Sequence, residues 1–318
     1  MINSIYPLVT IAIPTYNRAD VHLKDALASA LKQTYQNIEI IVSDNCSTDG
    51  TEIFMRGLSD RRIRYYRRDK NIGPNNNFNF CLEQAKGAYF LLLPDDDLID
   101  EDFVESCMKS AAYSTDLGVI RTGTRVIDSR GTVLRESQNR VAGLSTEQFF
   151  RSWFAEKTSW YVCSTLFNTK RLKEIGGLHS KRNLVQDGIA LVQLASKFGR
   201  VDVEEVKASF RKHPGEITFA VKVKDWCEDY LELLNLMCEV IDDNVDLVKA
   251  EGMRFLCRLN YNRASAIGSP IKRFRTYLMV YRMFDYALTP PFHPLLSRTL
   301  HKAVHIMKSV NRQLARES

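Results

Sequence analysis

Short apolar runs alternate with segments of helical periodicity over the first 100 residues. The runs Leu8–Ile13, Ile38–Val42 and Ala88–Leu93 are aliphatic or β-branched and predict strands, the last of them buried on both faces. Between these runs, apolar residues recur at helical spacing over 20–32 and 75–85, which predicts two helices. The pattern therefore predicts strands and helices in strict alternation.

Two weaker elements complete this alternation. Asp49 stands three residues before Glu52, a spacing that predicts a capping pair for a short helix that runs to Leu58. The segment Arg61–Arg68 predicts a more exposed strand. Strands and helices joined by short loops predict an α/β fold with a doubly wound, mostly parallel, Rossmann-like sheet. In such sheets, ligands bind beyond the carboxyl ends of the strands.

Polar side chains follow three of the predicted strands. Thr15 and Tyr16 follow the first strand, Asp44 ends the second, and the triplet Asp95–Asp97 comes after the buried strand. Adjacent carboxylates repel one another unless a cation lies among them, and hard oxygen ligands favour Mg²⁺ or Mn²⁺. Because such metals keep positions for phosphate oxygens, the triplet predicts a diphosphate site. The simpler alternative is that these aspartates only cap the next helix.

The second part of the chain is less regular. Residues 118–120, 125–127 and 160–167 predict strands, 128–131 a hairpin turn, 145–154 a helix, and Gln186-Asp187 the start of another helix. From about residue 223 long helical patterns dominate, which predicts a first domain over 1–222 and a helical region over 223–318.

Composition narrows the class of protein. The chain has 318 residues and a net charge of +6, which suits anionic ligands or an anionic membrane surface. Its seven cysteines are scattered, and no apolar run approaches the length of a membrane span. We expect a cytoplasmic protein, soluble or peripheral at the inner face of the cell membrane. Basic and aromatic residues interleave in Arg61–Arg68, but their alternation fits an edge strand better than a nucleic-acid surface.

Eight stretches in the first 215 residues follow one another in a recognisable order: Val9–Arg18, Ala30–Thr34, Ile40–Thr51, Asn71–Tyr89, Leu93–Leu98, Lys170–Leu178, Gln186-Asp187 and His213-Pro214-Gly215. In this order they resemble glycosyltransferase family 2, the inverting transferases with the GT-A fold. Two positions depart from the family pattern, because Pro94 stands where many members have an acid and Gln186 where they have a glutamate.

The resemblance implies a nucleotide-sugar donor, with a UDP-sugar favoured, bound with Mn²⁺ or Mg²⁺. It implies transfer to a hydroxyl group of a glycan or a lipid-linked saccharide in surface polysaccharide synthesis, with Asp187 as the catalytic base. The residues assigned to the metal are Asp96, Asp97 and His213, and those assigned to the donor are Pro14, Thr15, Tyr16, Arg18, Asp44, Asn75, Asp95 and Asp96.

Alternatives stay open at this point. A sugar nucleotidyltransferase shares the architecture, although the chain has no glycine- and lysine-rich loop near the first strand, and a non-catalytic nucleotide-sugar-binding module is the third candidate. Trp153, Trp160 and Tyr161 fit either an acceptor cleft or core packing. The helical region fits acceptor, oligomer or membrane-surface contacts. Its last helix has an apolar face with basic residues elsewhere: Leu300, Val304, Met307, Asn311 and Leu314 share that face.

Overall fold

The computed structural model describes residues 6–19, 22–213 and 221–291. The chain divides into two compact units, Met1–Phe219 and Ala220–Ser318. The last predicted helix, with Leu300 and Leu314, lies outside the described residues, as do Pro214 and Gly215.

Within the described residues, one nine-stranded sheet forms the first unit, in the order β3-β2-β1-β4-β8-β6-β9-β5 with β7 paired to β6. The strands are β1 (Val9–Thr15), β2 (Ile38–Asp44), β3 (Ile63–Arg67), β4 (Tyr89–Leu92), β5 (Leu98–Ile99), β6 (Val119–Ile127), β7 (Val133–Ser137), β8 (Thr165–Asn168) and β9 (Arg200–Arg211).

Helices cover the sheet and make up the described part of the second unit. In the first unit they are α1 (Leu23–Leu31), α2 (Thr51–Arg56), α3 (Pro74–Gln84), α4 (Phe103–Ser110), α5 (Thr146–Phe154), a 3₁₀ turn (Val162–Ser164), α6 (Thr169–Glu174) and α7 (Gln186–Phe198). The second unit contains α8 (Val223–Glu239), α9 (Val245–Ser265) and α10 (Pro270–Met283). No helix among the described residues is both long and apolar enough to cross a membrane.

The predicted α/β fold is confirmed, in a mixed form. Strands β3, β2, β1 and β4 are parallel to one another, whereas β8 runs antiparallel to both β4 and β6. Strands β1, β2 and β4 are buried along their whole length, which confirms the prediction for β4 and extends it to the other two. Strand β3 is the exposed edge strand that the basic segment predicts.

Strand β1 is longer than predicted, because it continues through Pro14 to Thr15. The backbone oxygen of Ala12 accepts the N–H of Leu93 on the β4 side, so Pro14, two residues on, faces the same side. Pairing with β4 ends at Leu92, and the N–H that proline lacks is therefore not needed by a neighbouring strand.

Other predictions need correction. The two predicted strands at 118–120 and 125–127 are replaced by one, β6, which begins at Val119 and continues through Gly123, whose backbone packs against Ser137 and Glu205. The predicted strand 160–167 begins instead with a 3₁₀ turn, and only β8 is strand. The predicted helix over 145–154 is confirmed as α5, which begins after Ser145, whose side chain accepts the N–H of Gln148 in a reciprocal capping box.

Candidate active site

The aspartate triplet lies in a short loop that follows β4, the acidic loop (Pro94–Asp97). The N–H of Asp97 donates to the backbone oxygen of Pro94 at 3.1 Å, which closes the loop into a turn. One carboxylate oxygen of the buried Asp97 accepts the backbone N–H of Arg211 at 2.8 Å, and Arg211 Nε donates to the backbone oxygen of Asp96 at 2.8 Å. The end of β9 therefore holds the acidic loop in place.

The structure brings Asp96 and His213 together. His213 Nε2 lies 2.8 Å from Asp96 Oδ2, and the imidazole is 6% exposed. His22, immediately before α1, lies beside it, with the two ring centroids 5.4 Å apart. Asp96 and His213, two of the three residues assigned to a metal from the sequence, are thus in contact at the carboxyl edge of the sheet, where β1, β2 and β4 end.

The acidic loop places carboxylates where water solvates them poorly. Burial raises the pKa of Asp95 to about 7, and the charge of Asp96 adds to the effect, while the side chains of Thr15 and Arg18 oppose it. Burial and the neighbouring Asp96 also raise the pKa of Asp97 well above its ordinary value. A positive charge close to these groups would therefore be strongly favourable.

The donor set fits a hard divalent cation that shares its coordination sphere with a substrate. The described residues contain no group of three or more histidine, cysteine, aspartate or glutamate side chains arranged to hold a metal ion alone. Asp96 and His213 supply one oxygen and one nitrogen, and Mg²⁺ or Mn²⁺ commonly completes such a set with water and phosphate oxygens. Because Asp97 already binds the backbone of Arg211, its metal contact stays a prediction.

Asp44 is fully buried at the end of β2, and both of its oxygens are engaged. Oδ1 accepts the N–H of Ser47 at 2.7 Å and Oδ2 accepts the Tyr65 hydroxyl at 2.7 Å, with Arg67 Nε 4.0 Å away. The carboxylate therefore shapes the loop that follows β2. Direct contact of Asp44 with a nucleoside stays a prediction.

The loop after β1 is tied to the loop after β2. The N–H of Asn17 donates to Ser47 Oγ at 2.9 Å, and Asn17 Oδ1 accepts the N–H of Thr48 at 2.8 Å. Asn17 has φ 55°, a left-handed conformation that asparagine tolerates better than most residues. Between Thr15 and this fixed point, the ring of Tyr16 is 45% exposed and accessible to a base.

Asn75 lies in the first turn of α3 and has a buried side-chain oxygen without a hydrogen-bond partner among the described residues. Its neighbour Asn77 is satisfied, because it accepts the Ser43 hydroxyl at 2.6 Å and donates to the Ser43 backbone at 2.9 Å. A buried polar atom without a partner is costly in a folded protein. The Asn75 oxygen is thus an acceptor suited to a ligand.

Asp187 lies in the first turn of α7, as the sequence predicts. Burial raises its pKa to about 6, although the N–H of Gly188 acts in the opposite direction. Helix α7 leads directly into β9, which runs in the same direction as β6, β4 and β1. Because α7 packs on this sheet and ends just before β9 begins, the helix runs antiparallel to β9. Its first turn, with Asp187, therefore lies at the carboxyl edge of the sheet.

The aromatic residues pack on one another. Trp160 stacks on Trp153 at 4.3 Å between ring centroids and on Phe149 at 5.2 Å, while Tyr161 stacks on Phe210 at 4.4 Å. These contacts give the rings a packing role in the first unit. Their use in binding an acceptor stays a prediction.

Sequence reasoning missed three residues of this site: His22, Tyr65 and Arg211. Each acts through a partner that is distant in sequence, and Arg211 lies 115 residues from Asp96. The only local signal was the position of Arg211 two residues before His213.

Comparison with known proteins agrees with this geometry. The family model for glycosyl transferase family 2 matches residues 10–175, just over half of the chain. An uncharacterized glycosyltransferase of Rickettsia bellii is 41% identical over 105 residues, which cover 33% of this chain and 15% of that protein. The GalNAc(5)-diNAcBac-PP-undecaprenol β-1,3-glucosyltransferase of Campylobacter jejuni is 29% identical over 176 residues, 53% of this chain and 55% of that protein. The chain thus spans less than two thirds of each of these relatives.

Solved structures share the fold. TarS 1–349 of S. aureus in complex with UDP-GlcNAc has a TM-score of 0.66 at 17% identity, covering 88% of this chain and 81% of that one. The mannosyltransferase PcManGT of Pyrobaculum calidifontis, in complex with GDP-Man and Mn²⁺, has a TM-score of 0.53 at 16% identity, covering 89% and 86%. With the family model matched over more than half of its length, the chain belongs to glycosyl transferase family 2 and has the GT-A fold.

Proposed function

We propose that this glycosyltransferase moves a sugar from a UDP-sugar to a hydroxyl group of a glycan or glycolipid acceptor, with Mn²⁺ or Mg²⁺ and with inversion at the anomeric carbon. The observation that carries the proposal is the acidic loop at the carboxyl end of a buried strand, with Asp96 2.8 Å from His213. A diphosphate is the substrate group that such a charged, metal-compatible corner favours.

The donor assignment draws on both the site and the neighbours. TarS is described with UDP-GlcNAc, and PcManGT with GDP-Man and Mn²⁺. In this chain, Tyr16 offers an exposed ring for the base, and the Asn75 oxygen offers an acceptor for a donor hydroxyl or imide group. Asp44 would act mainly by holding the loop that forms one wall of this nucleoside site.

Asp96 and His213 would hold the metal, with Asp95 and Asp97 as supporting charges. When bound, the metal would stabilise the negative charge that develops on the departing diphosphate. Arg211 fixes the backbone of Asp96 and the carboxylate of Asp97, so that the loop is already in position before the donor arrives.

Asp187 would take the proton from the acceptor hydroxyl as its oxygen attacks the anomeric carbon opposite the diphosphate. A single displacement of this kind inverts the configuration. With a pKa of about 6, Asp187 is ionised at neutral pH and is a stronger base than an ordinary aspartate. The adjacent Gln186 carries no charge that would compete for the proton.

For the acceptor, we propose a lipid-linked saccharide used in surface polysaccharide or glycolipid synthesis, at the cytoplasmic face of the membrane. The C. jejuni relative supports this choice, because its name gives an undecaprenol-linked saccharide as the molecule to which it transfers glucose.

The test is a panel of UDP- and GDP-sugars with Mn²⁺, in which donor turnover is scored and the anomeric configuration of the product is determined by NMR. We expect turnover with at least one UDP-sugar, an inverted linkage, and loss of turnover with retained UDP binding in Asp187→Asn. A retained configuration, or nucleotide-sugar synthesis from a sugar phosphate and a nucleoside triphosphate, would contradict the proposal.

A further inference from the structure

Helix α10 presents an unusual surface in the second unit. Ile271 is 68% exposed and Phe274 is 47% exposed, and both lie in the first turn and a half of the helix. Leu278 follows on the same stripe, since positions i, i+3 and i+7 fall on one side of an α-helix. Large apolar side chains that cluster on a surface mark an interaction site more often than scattered ones do.

The same surface is strongly basic. Within Pro270–Met283 the sequence has four lysine or arginine residues and no aspartate or glutamate. Lys272, Arg275 and Arg282 are exposed and lie beside the apolar stripe or at its margin. We call this surface, formed by Ile271, Lys272, Phe274, Arg275, Leu278 and Arg282, the α10 face.

The opposite side of the helix is anchored. Tyr277, Val280 and Tyr281 are buried, and α10 packs against α8 and α9. Tyr277 meets Tyr261 edge to face with ring centroids 5.5 Å apart. At the start of the helix, the Ser269 side chain accepts the N–H of Lys272, and Pro270 occupies the first turn. The α10 face is therefore displayed on a fixed platform.

A contrast shows why this surface differs from ordinary exposure. Ile53 is 80% exposed, but it stands beside Glu52, whose charge is paired with Arg56. Single exposed apolar residues of that kind are normal in soluble proteins. The α10 face combines three apolar side chains with three cations and carries no acidic residue.

We propose that the α10 face binds the surface of an anionic lipid bilayer, with Ile271 and Phe274 entering the interface and Lys272, Arg275 and Arg282 contacting lipid phosphates. Apolar residues flanked by lysine and arginine are what an interfacial helix needs, and the absence of acidic residues matches an anionic headgroup layer. Membrane binding would bring the enzyme to a lipid-linked acceptor, which deepens the proposed function. The inference rests on that function only for the identity of the acceptor.

The experiment is flotation of the full 318-residue chain with vesicles of phosphatidylcholine alone or with 30% phosphatidylglycerol, without nucleotide or metal. Each cation near an anionic bilayer is expected to contribute about a fivefold change in partitioning. Lys272→Gln with Arg275→Gln should therefore weaken binding to the anionic vesicles by about 25-fold. Ile271→Asp should abolish binding at moderate salt.

The matched control is Arg140→Gln with Lys170→Gln, which makes the same change in net charge at side chains that are 69% and 76% exposed in the first unit. This control should keep binding within about twofold of the parent chain. Circular dichroism of each variant would confirm that its helices remain folded.

Equal losses in the two double variants, or equal binding to both kinds of vesicle, would overturn the proposal. So would a dimer, detected by light scattering, that Ile271→Asp dissociates without affecting flotation, because the face would then bind a second copy. Flotation is measured without nucleotide, so it does not depend on donor binding. If the chain floats normally but a separate titration detects no UDP binding, the proposed function is refuted while membrane binding by the α10 face still holds.

Discussion

Replacing Asp187 with asparagine is expected to abolish sugar transfer and to stabilise the first unit at neutral pH. Asparagine keeps the side-chain oxygen that accepts the N–H of Gly188 but has no charge to bury. Loss of a general base lowers turnover by about 10²- to 10⁴-fold. If Asp187 had only a structural role, its replacement would instead lower the free energy of unfolding of the protein.

The size of the stability gain follows from the pKa. Raising the pKa of a carboxyl group from 3.8 to about 6 costs the folded protein at most about 3 kcal/mol once the group is ionised. The folded state keeps its proton up to about pH 6, whereas the unfolded chain loses it near pH 4. Stability therefore falls as the pH rises between these values. Asp187→Asn removes that cost, so its advantage is full above pH 6 and below about 1 kcal/mol near pH 4.

The assay is urea denaturation at pH 7.5 and pH 4, followed by tryptophan fluorescence, with the exposed Asp116→Asn as the control. Activity of the parent chain should rise with pH up to about 6 and then level off, because Asp187 must be ionised to accept a proton. Three results for Asp187→Asn would refute the reasoning: a lower stability than the parent at pH 7.5, the same change in stability at both pH values, or retained activity.

Three further predictions concern the framework of the site. Arg211→Met should destabilise the first unit by about 1 to 3 kcal/mol in a urea titration, because the backbone oxygen of Asp96 loses its donor. The same substitution should weaken metal-dependent UDP binding at least tenfold in calorimetry, and unchanged UDP affinity would contradict the bracing role of Arg211. Tyr65→Phe should cost about 1 to 2 kcal/mol and lower UDP affinity, since a buried oxygen of Asp44 loses its donor, and an unchanged urea midpoint would count against that contact. Gly118→Ala should destabilise the chain by more than about 3 kcal/mol and lower its melting temperature, because the new Cβ would lie 2.2 Å from the backbone oxygen of Leu194. The control Gly268→Ala, with open space around the new Cβ, should leave the melting temperature nearly unchanged.

The parallel half of the sheet could be predicted from the sequence because its strands are buried on both faces. Apolar residues then dominate β1, β2 and β4, and the periodicity of the intervening helices is clear. The GT-A fold followed from this alternation together with the motif order. Asp187 at the start of α7 could also be placed, because its segment has a distinct apolar pattern.

Strand β9 could not be predicted in the same way, since six of its twelve residues are charged. Its charges are satisfied only in three dimensions, as when Asp202 pairs with Arg200 at 2.8 Å. The bracing role of Arg211 depends on β9 and was therefore hidden as well. The sequence places Asp95, Asp96 and Asp97 side by side, but only the fold shows that Asp97 binds backbone while Asp96 faces His213.

The most direct test of the central claim is calorimetric titration of UDP into the protein with Mn²⁺ and with EDTA, for the parent chain, Asp96→Asn and the control Asp116→Asn. The acidic loop as a metal and diphosphate site predicts UDP binding that requires Mn²⁺ in the parent and the control and is lost in Asp96→Asn. UDP binding that is equal in Mn²⁺ and EDTA, or that survives in Asp96→Asn, would contradict the claim.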